Sequence, residues 1–241
     1  MKILFMILCL SSTAFAQVPK ISVSDFNLKY DDQTGRASVN YLIVPGYSFE
    51  SATTFTVEQQ AGSFVLETNN ESLTIDDVPE QIIDLKKLKV ENLNLVTNNS
   101  KIFLSVDQLS GNNYNASLDI KSLSVDCKYE HLSPSIKDEV LNSCVNNNGR
   151  IKIDKFTNNG KDVVSSADLK FNKNGLNFRI KAAGFNVKGS GKAYYTPGLL
   201  RIKVEKAKVG ILNVKNKVFK ELENIQSQSV RVSNPWIEID L

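Results

Sequence analysis

Leu200-Arg201-Ile202-Lys203-Val204-Glu205-Lys206-Ala207-Lys208-Val209 alternates with period two, Leu, Ile and Val on one side and Arg, Lys and Glu on the other. Coiled as a helix, the stretch would scatter its apolar residues around the whole circumference; extended, it gathers them on one face. Antiparallel sheets with one wet face have this signature. The expected fold class is therefore mainly β, a β-rich α+β chain built on a curved antiparallel sheet.

Reading outward from that strand, the same grammar recurs. Lys170-Phe171 and Phe178-Arg179-Ile180-Lys181 flank Asn174-Gly175, a dipeptide that tolerates positive φ and suits a tight hairpin turn. Arg150-Ile151-Lys152-Ile153 is a further strand. Towards the N-terminus, Ile21, Val23, Phe26 and Leu28 lead to a turn at Asp32-Gln33-Thr34-Gly35, and Ala37, Val39, Tyr41 and Ile43 alternate back. Phe55 to Val57, Phe64 to Leu66, Leu88 to Leu95, Ile102 to Val106 and Leu118 to Val125 complete the set. A short helical turn is expected over Gln81 to Leu85, and one last strand from Val230 through Ile239. Thr97-Asn98-Asn99-Ser100-Lys101 and Thr157-Asn158-Asn159-Gly160-Lys161 share a pattern suited to turns between long strands.

Two short amphipathic helices interrupt the strands. Ser133 caps the first, with Pro134 in its first turn and Ile136, Val140, Leu141 and Cys144 on one face; Asn146 to Gly149 ends it. The second spans Lys215 to Gln226, aligning Val218, Phe219, Leu222 and Ile225. Residues 17–241 thus read as a single β-rich domain, divisible into halves 17–127 and 145–241 joined by a helix at 134–144.

Residues 1–16 read as a signal peptide. Lys2 supplies the positive start, Ile3 to Leu10 the apolar run, and Ala14-Phe15-Ala16 the small-residue cleavage site. The run is too short to cross about 30 Å of hydrocarbon. Cleavage near Ala16 implies a periplasmic or secreted protein, and the Asn- and Lys-rich composition favours the periplasm. Two cysteines then remain, Cys127 and Cys144, and an oxidising compartment pairs them as a disulfide. With His131 they make only three ligands in no standard zinc spacing, so no metal is expected.

Charge is distributed unevenly. From Gln17 to Gly149 acidic residues outnumber basic ones 18 to 10; from Arg150 to Lys220 basic residues lead 17 to 4. Such a basic half points to an anionic partner, a lipid or membrane surface, or else merely solvates the outer face of a sheet. No nucleic-acid motif accompanies it, and export removes that partner.

Catalytic signatures are absent. One histidine cannot build H-E-x-x-H, and no G-x-S-x-G elbow occurs. Gly189-Ser190-Gly191-Lys192 lacks the phosphate-loop spacing and reads as a Gly-interrupted strand. Asp76-Asp77 and Asp31-Asp32 are acidic pairs of the kind common in turns. The expectation is a protein that is not an enzyme and needs no cofactor.

The segment Lys203-Val204-Glu205-Lys206-Ala207-Lys208-Val209-Gly210-Ile211-Leu212-Asn213-Val214 gives a strand, a Gly break and a short apolar turn, followed by the amphipathic helix and the strand Val230 to Ile239. It resembles the closing segment of bacterial envelope proteins of the LmeA, YpmS and YceB kind, related to tubular lipid-binding and AsmA-like domains. Asn213 and Lys215 depart from that pattern, which has a proline-containing helix start. The resemblance implies a curved sheet around a helix, with an apolar groove for acyl chains. Phe171, Phe178, Ile180, Ile202, Val204, Phe219 and Leu222 are the candidate groove residues, and Arg179, Lys181, Arg201 and Lys203 the candidates for anionic headgroups. The function expected is a non-catalytic binding protein that holds or transfers lipid at the bacterial envelope. The alternative is a structural or adhesive β-domain with a closed core, contacting protein or polysaccharide.

Overall fold

The computed structural model describes residues 21–32, 34–44, 47–60, 63–75, 86–98, 101–112, 117–128, 141–182, 184–223 and 230–240. The expected signal peptide at residues 1–16, Asp76-Asp77, the expected turn over Gln81 to Leu85, His131 and most of the expected helix at 134–144 lie outside them.

Among the described residues, twenty strands join one sheet. They are β1 (Ser22–Asp31), β2 (Thr34–Val39), β3 (Tyr41–Val44), β4 (Tyr47–Phe49), β5 (Thr53–Gln60), β6 (Ser63–Glu67), β7 (Ser72–Ile75), β8 (Lys87–Asn98), β9 (Lys101–Asn112) and β10 (Ser117–Lys128). After a π-helical turn, Ser143–Asn147, come β11 (Asn148–Ile153), β12 (Lys155–Asn158), β13 (Lys161–Val164), β14 (Ser166–Asn172), β15 (Gly175–Ala182), β16 (Phe185–Thr196), β17 (Leu199–Val209) and β18 (Leu212–Asn213). Helix α1 (Lys215–Glu223), β19 (Val230–Ser233) and β20 (Trp236–Asp240) close the chain.

Every pairing is antiparallel, as the half-wet alternation requires. Strand β1 lies in the middle of the sheet, between β2 and β8. From β1 the chain meanders through β2, β5 and β6 to β7, then returns to place β8 on the other side of β1. From there β9, β10, β11, β14, β15, β16 and β17 follow in order, with β20 and then β19 outermost. Both Thr97–Lys101 and Thr157–Lys161 are hairpin connections, closed by Asn98 opposite Lys101 and Asn158 opposite Lys161.

A crease runs across the middle of the sheet. Asp25, Asn92 and Ser122 have positive φ, and strands break at Asn40, Asp154 and Ser165. These irregularities lie opposite one another, so the register resumes in step beyond them. What changes is the face. On β8, Leu88 and Val90 point inward before the crease and Leu93 and Leu95 after it. Similarly, Ala37 and Val39 give way to Leu42 and Val44, so Tyr41 and Ile43 are not the inner residues their spacing predicts. Side chains heal the backbone here: the Asp25 amide donates to Asn94 Oδ1 (3.1 Å), the Asn92 amide to Asn27 Oδ1 (3.0 Å), and Asn92 Nδ2 to Asp107 Oδ2 (2.8 Å). Such local distortions bend and coil a sheet.

Two further expectations need correction. Val230 to Ile239 is a hairpin, β19 and β20, because Asn234-Pro235 turns the chain between them. The alternation in β17 also carries a bulge: Val204 faces Gly191 while Lys206 faces Ser190, so the inner row passes from Val204 to Ala207.

Cys127 and Cys144 form a disulfide, Cα atoms 4.9 Å apart, tying the π turn to β10. Gly149 faces Cys127 across the ladder, and a Cβ there would come within 2.8 Å of Cys127 Sγ. The turn is docked a second time by Asn146, whose Nδ2 donates to the Tyr195 carbonyl (2.8 Å) and whose Oδ1 accepts the Tyr195 amide (2.9 Å). Asn146 thus takes the place of a neighbouring strand beyond the end of β15.

Candidate functional site

The candidate groove residues come from the inner face of β14, β15 and β17 and from α1, and they have different surroundings. Phe171 belongs to the main core and is buried at 7 % exposure. Val204 and Phe219 are buried in a second cluster with Ala207 and Val232, where α1 lies across β17 and β19. Phe178 and Ile202 are half-buried and bridge the two clusters. Leu222 is half-buried against the second cluster, and Ile180 is half-buried outside both. Three of the seven are therefore committed to packing, leaving Phe178, Ile180, Ile202 and Leu222 partly open.

The open part is wider than sequence reasoning foresaw. Leu169, Val187, Leu200, Ile237 and Ile239 are half-buried on the same face. Ala167, Ile180 and Val187 form one cross-strand row on β14, β15 and β16. The two turn residues between β14 and β15 are Lys173-Asn174, with φ of 45° and 66°, one position before the expected Asn174-Gly175, and Asn172 faces Gly175 across the turn. Gly189 and Gly191 give the face its shape: a Cβ on Gly189 would collide with the Phe178 ring, and one on Gly191 with the Lys203 carbonyl. Gly189-Ser190-Gly191-Lys192 is thus strand, with Gly189 making room for an aromatic ring and Gly191 for the neighbouring backbone.

The opposite face carries the basic residues. Arg179 faces Lys188, which faces Lys208, and Lys192 faces Lys203. Like charges directly across a ladder are unfavourable. Among the described residues no carboxylate is paired with Arg179, Lys181, Lys188, Lys192, Lys206 or Lys208. Sequence reasoning named Arg179 and Lys203 but not their cross-strand neighbours, which depend on the β15–β16 and β16–β17 registers. The groove and headgroup residues lie on opposite sides of the sheet, because adjacent positions of a strand do.

Near one end of this face, Arg201 bonds Glu238 (2.8 Å), and its guanidinium stands 4.9 Å from the centre of the Trp236 ring. Lys203 flanks the same ring, and Tyr194 lies beside it at 6.5 Å between ring centres. Further along, Arg150 grips Asp168 with two bonds of 2.8 Å. That hydrogen bonding holds the Asp168 carboxyl below its ordinary range and raises the Arg150 guanidinium. Hydrogen bonding from Lys155 likewise lowers Asp162, and Asp240 and Glu238 raise Arg231.

A polar cleft of about 580 Å³ opens elsewhere, among the ends of β1, β8, β9, β10 and β12. Lys29, Lys87, Lys89, Gln108 and Asp119 line it, and Gln108 bridges Lys89 (3.3 Å) to Asp119 (2.9 Å). None of the candidate groove residues borders it. Among the described residues no three metal-ligating side chains cluster, and no helix is long and apolar enough to cross a membrane. No family model matches the chain, and no curated protein or solved structure is similar to it.

Proposed function

We propose that this is an exported, non-catalytic protein of the bacterial envelope that holds or passes lipid against the inner face of β14 to β17. The observation that carries the reading is the half-buried apolar surface of Phe178, Ile180, Val187, Ile202 and Ile237, continuous with a closed core. Water against such a surface is unfavourable, and each acyl methylene that replaces it contributes roughly 0.8 kcal/mol. Eight methylenes would contribute about 6 kcal/mol, which exceeds the lower range of association costs. The resemblance of Lys203 to Ile239 to envelope lipid-binding proteins supports the same reading. On this reading the basic face serves the membrane or anionic headgroups beside the sheet, since it does not share the space of the acyl chain.

Native mass spectrometry of protein purified from an envelope-containing host is the test. A lipid adduct that disappears on extraction, and is missing from a folded Ile180→Asp or Ile202→Asp variant, is the expected result. A clean apo mass, unchanged after incubation with anionic phospholipids, refutes it. A second reading, an adhesive domain for polysaccharide, is favoured by the Tyr194–Trp236 pair and the polar cleft. It predicts glycan binding lost in Trp236→Ala, with no lipid adduct.

A further inference from the structure

The most exposed large apolar residues of the described chain include Ile211 at 94 %, Leu212 at 66 % and Phe185 at 54 %. Phe185 is the first residue of β16, and Ile211 and Leu212 follow β17; the ladder between β16 and β17 ends at Lys188 opposite Lys208, three residues from Phe185 and from Ile211. Gly210, with φ of 59°, turns the chain just before Ile211 and Leu212, and Gly184, with φ of 79°, does so before Phe185. Lys217 of α1 stands 5.5 Å from the centre of the Phe185 ring. Lys188, Lys208 and Lys215 stand three residues along the chain from Phe185, Ile211 and Leu212 respectively, and no acidic residue occurs between Asp168 and Glu205 or between Glu205 and Glu221.

We propose that Phe185, Ile211 and Leu212 form a docking tip that enters the interface of an anionic lipid bilayer, with these lysines held against its headgroups. Protein–protein interfaces are depleted in lysine, whereas anionic membranes attract it, and lysine stems can lie along apolar side chains while the ammonium reaches water or phosphate. A tip with both features fits a membrane better than a protein partner. The inference stands apart from the lipid cargo proposed above: a protein that carries nothing can still dock this way, and one that carries lipid can take it up without docking.

Flotation of the mature chain with phosphatidylglycerol-containing vesicles tests it, beside vesicles of phosphatidylcholine alone. The expected result is binding to the anionic vesicles at low salt, weakened by added salt and absent from the neutral ones. The triple variant Phe185→Ser, Ile211→Ser, Leu212→Ser should weaken binding roughly tenfold while keeping the wild-type circular dichroism, since these side chains are exposed. Lys188→Glu with Lys208→Glu should weaken it comparably. Absence of flotation at low salt overturns the proposal, as does a folded triple variant that binds like wild type. Loss of a self-associated state in the triple variant, without flotation of either protein, also overturns it and assigns the tip to contact between copies.

Discussion

Leu93 and Ile180 belong to the inner face of one continuous sheet, yet Leu93 is 1 % exposed and Ile180 is half-buried. Around Leu93 the face is sealed by Val39, Phe55, Phe64, Leu95 and Leu109, each about as buried. Around Ile180 the neighbours are Ala167 and Val187, and Val187 packs against the small cluster that includes Phe219 of α1. The crease differs as well. On the sealed side Asn27, Asn92 and Asn94 mend it with side-chain bonds; on the open side the Asp154 and Ser165 amides reach backbone carbonyls of Lys121 and Lys181. Stability and open surface are thus kept in different parts of one sheet: a closed side supplies most of the burial, and an open side keeps apolar surface unspent.

The sharpest way to break this contrast is a matched pair of truncations. Leu93→Ala should cost about 3 kcal/mol, because a sealed site collapses poorly around a cavity, whereas Ile180→Ala should cost about 1 kcal/mol or less. Urea denaturation of both variants measures the difference, and equal losses would mean that the second half is closed too. A smaller effect is expected at the crease. Asn94→Ala leaves the Asp25 amide without its acceptor and should cost about 1 kcal/mol. A neutral outcome would mean that water replaces the side chain at no cost. The smallest effect concerns Arg150 and Asp168. Asp168 titrates below its ordinary value of 3.8, so its contribution is complete above that value and is lost as pH falls through the lowered one. Both side chains are substantially exposed, so the loss should be slight. Comparing acid denaturation of wild type with Asp168→Asn measures it.

Much of this architecture can be read from residues. The alternation of Leu200 to Val204, a tight turn at Asn174 within one residue of its expected place, and the pairing of two cysteines are local patterns with few physical alternatives. The crease is harder, although its trace is present: Leu88 and Val90 followed by Leu93 and Leu95 is a change of phase. One strand with a change of phase looks like noise, and only the register across neighbours shows that they all change together. The docking of Asn146 on Tyr195, 49 positions away, leaves no local trace at all. At the candidate site, the two faces follow from period two. Which apolar residues stay open does not, since that depends on where α1 and the π turn settle.

The outermost strands, β7 and β19, have four residues each. An open sheet of this width invites strand addition by other copies, and long flat edges are the usual start of fibrils. Here each outer strand offers only a short stretch of free backbone, and on β19 Arg231 is held by Glu238 and Asp240. At high concentration, brief outer strands give other copies little backbone on which to template aggregation.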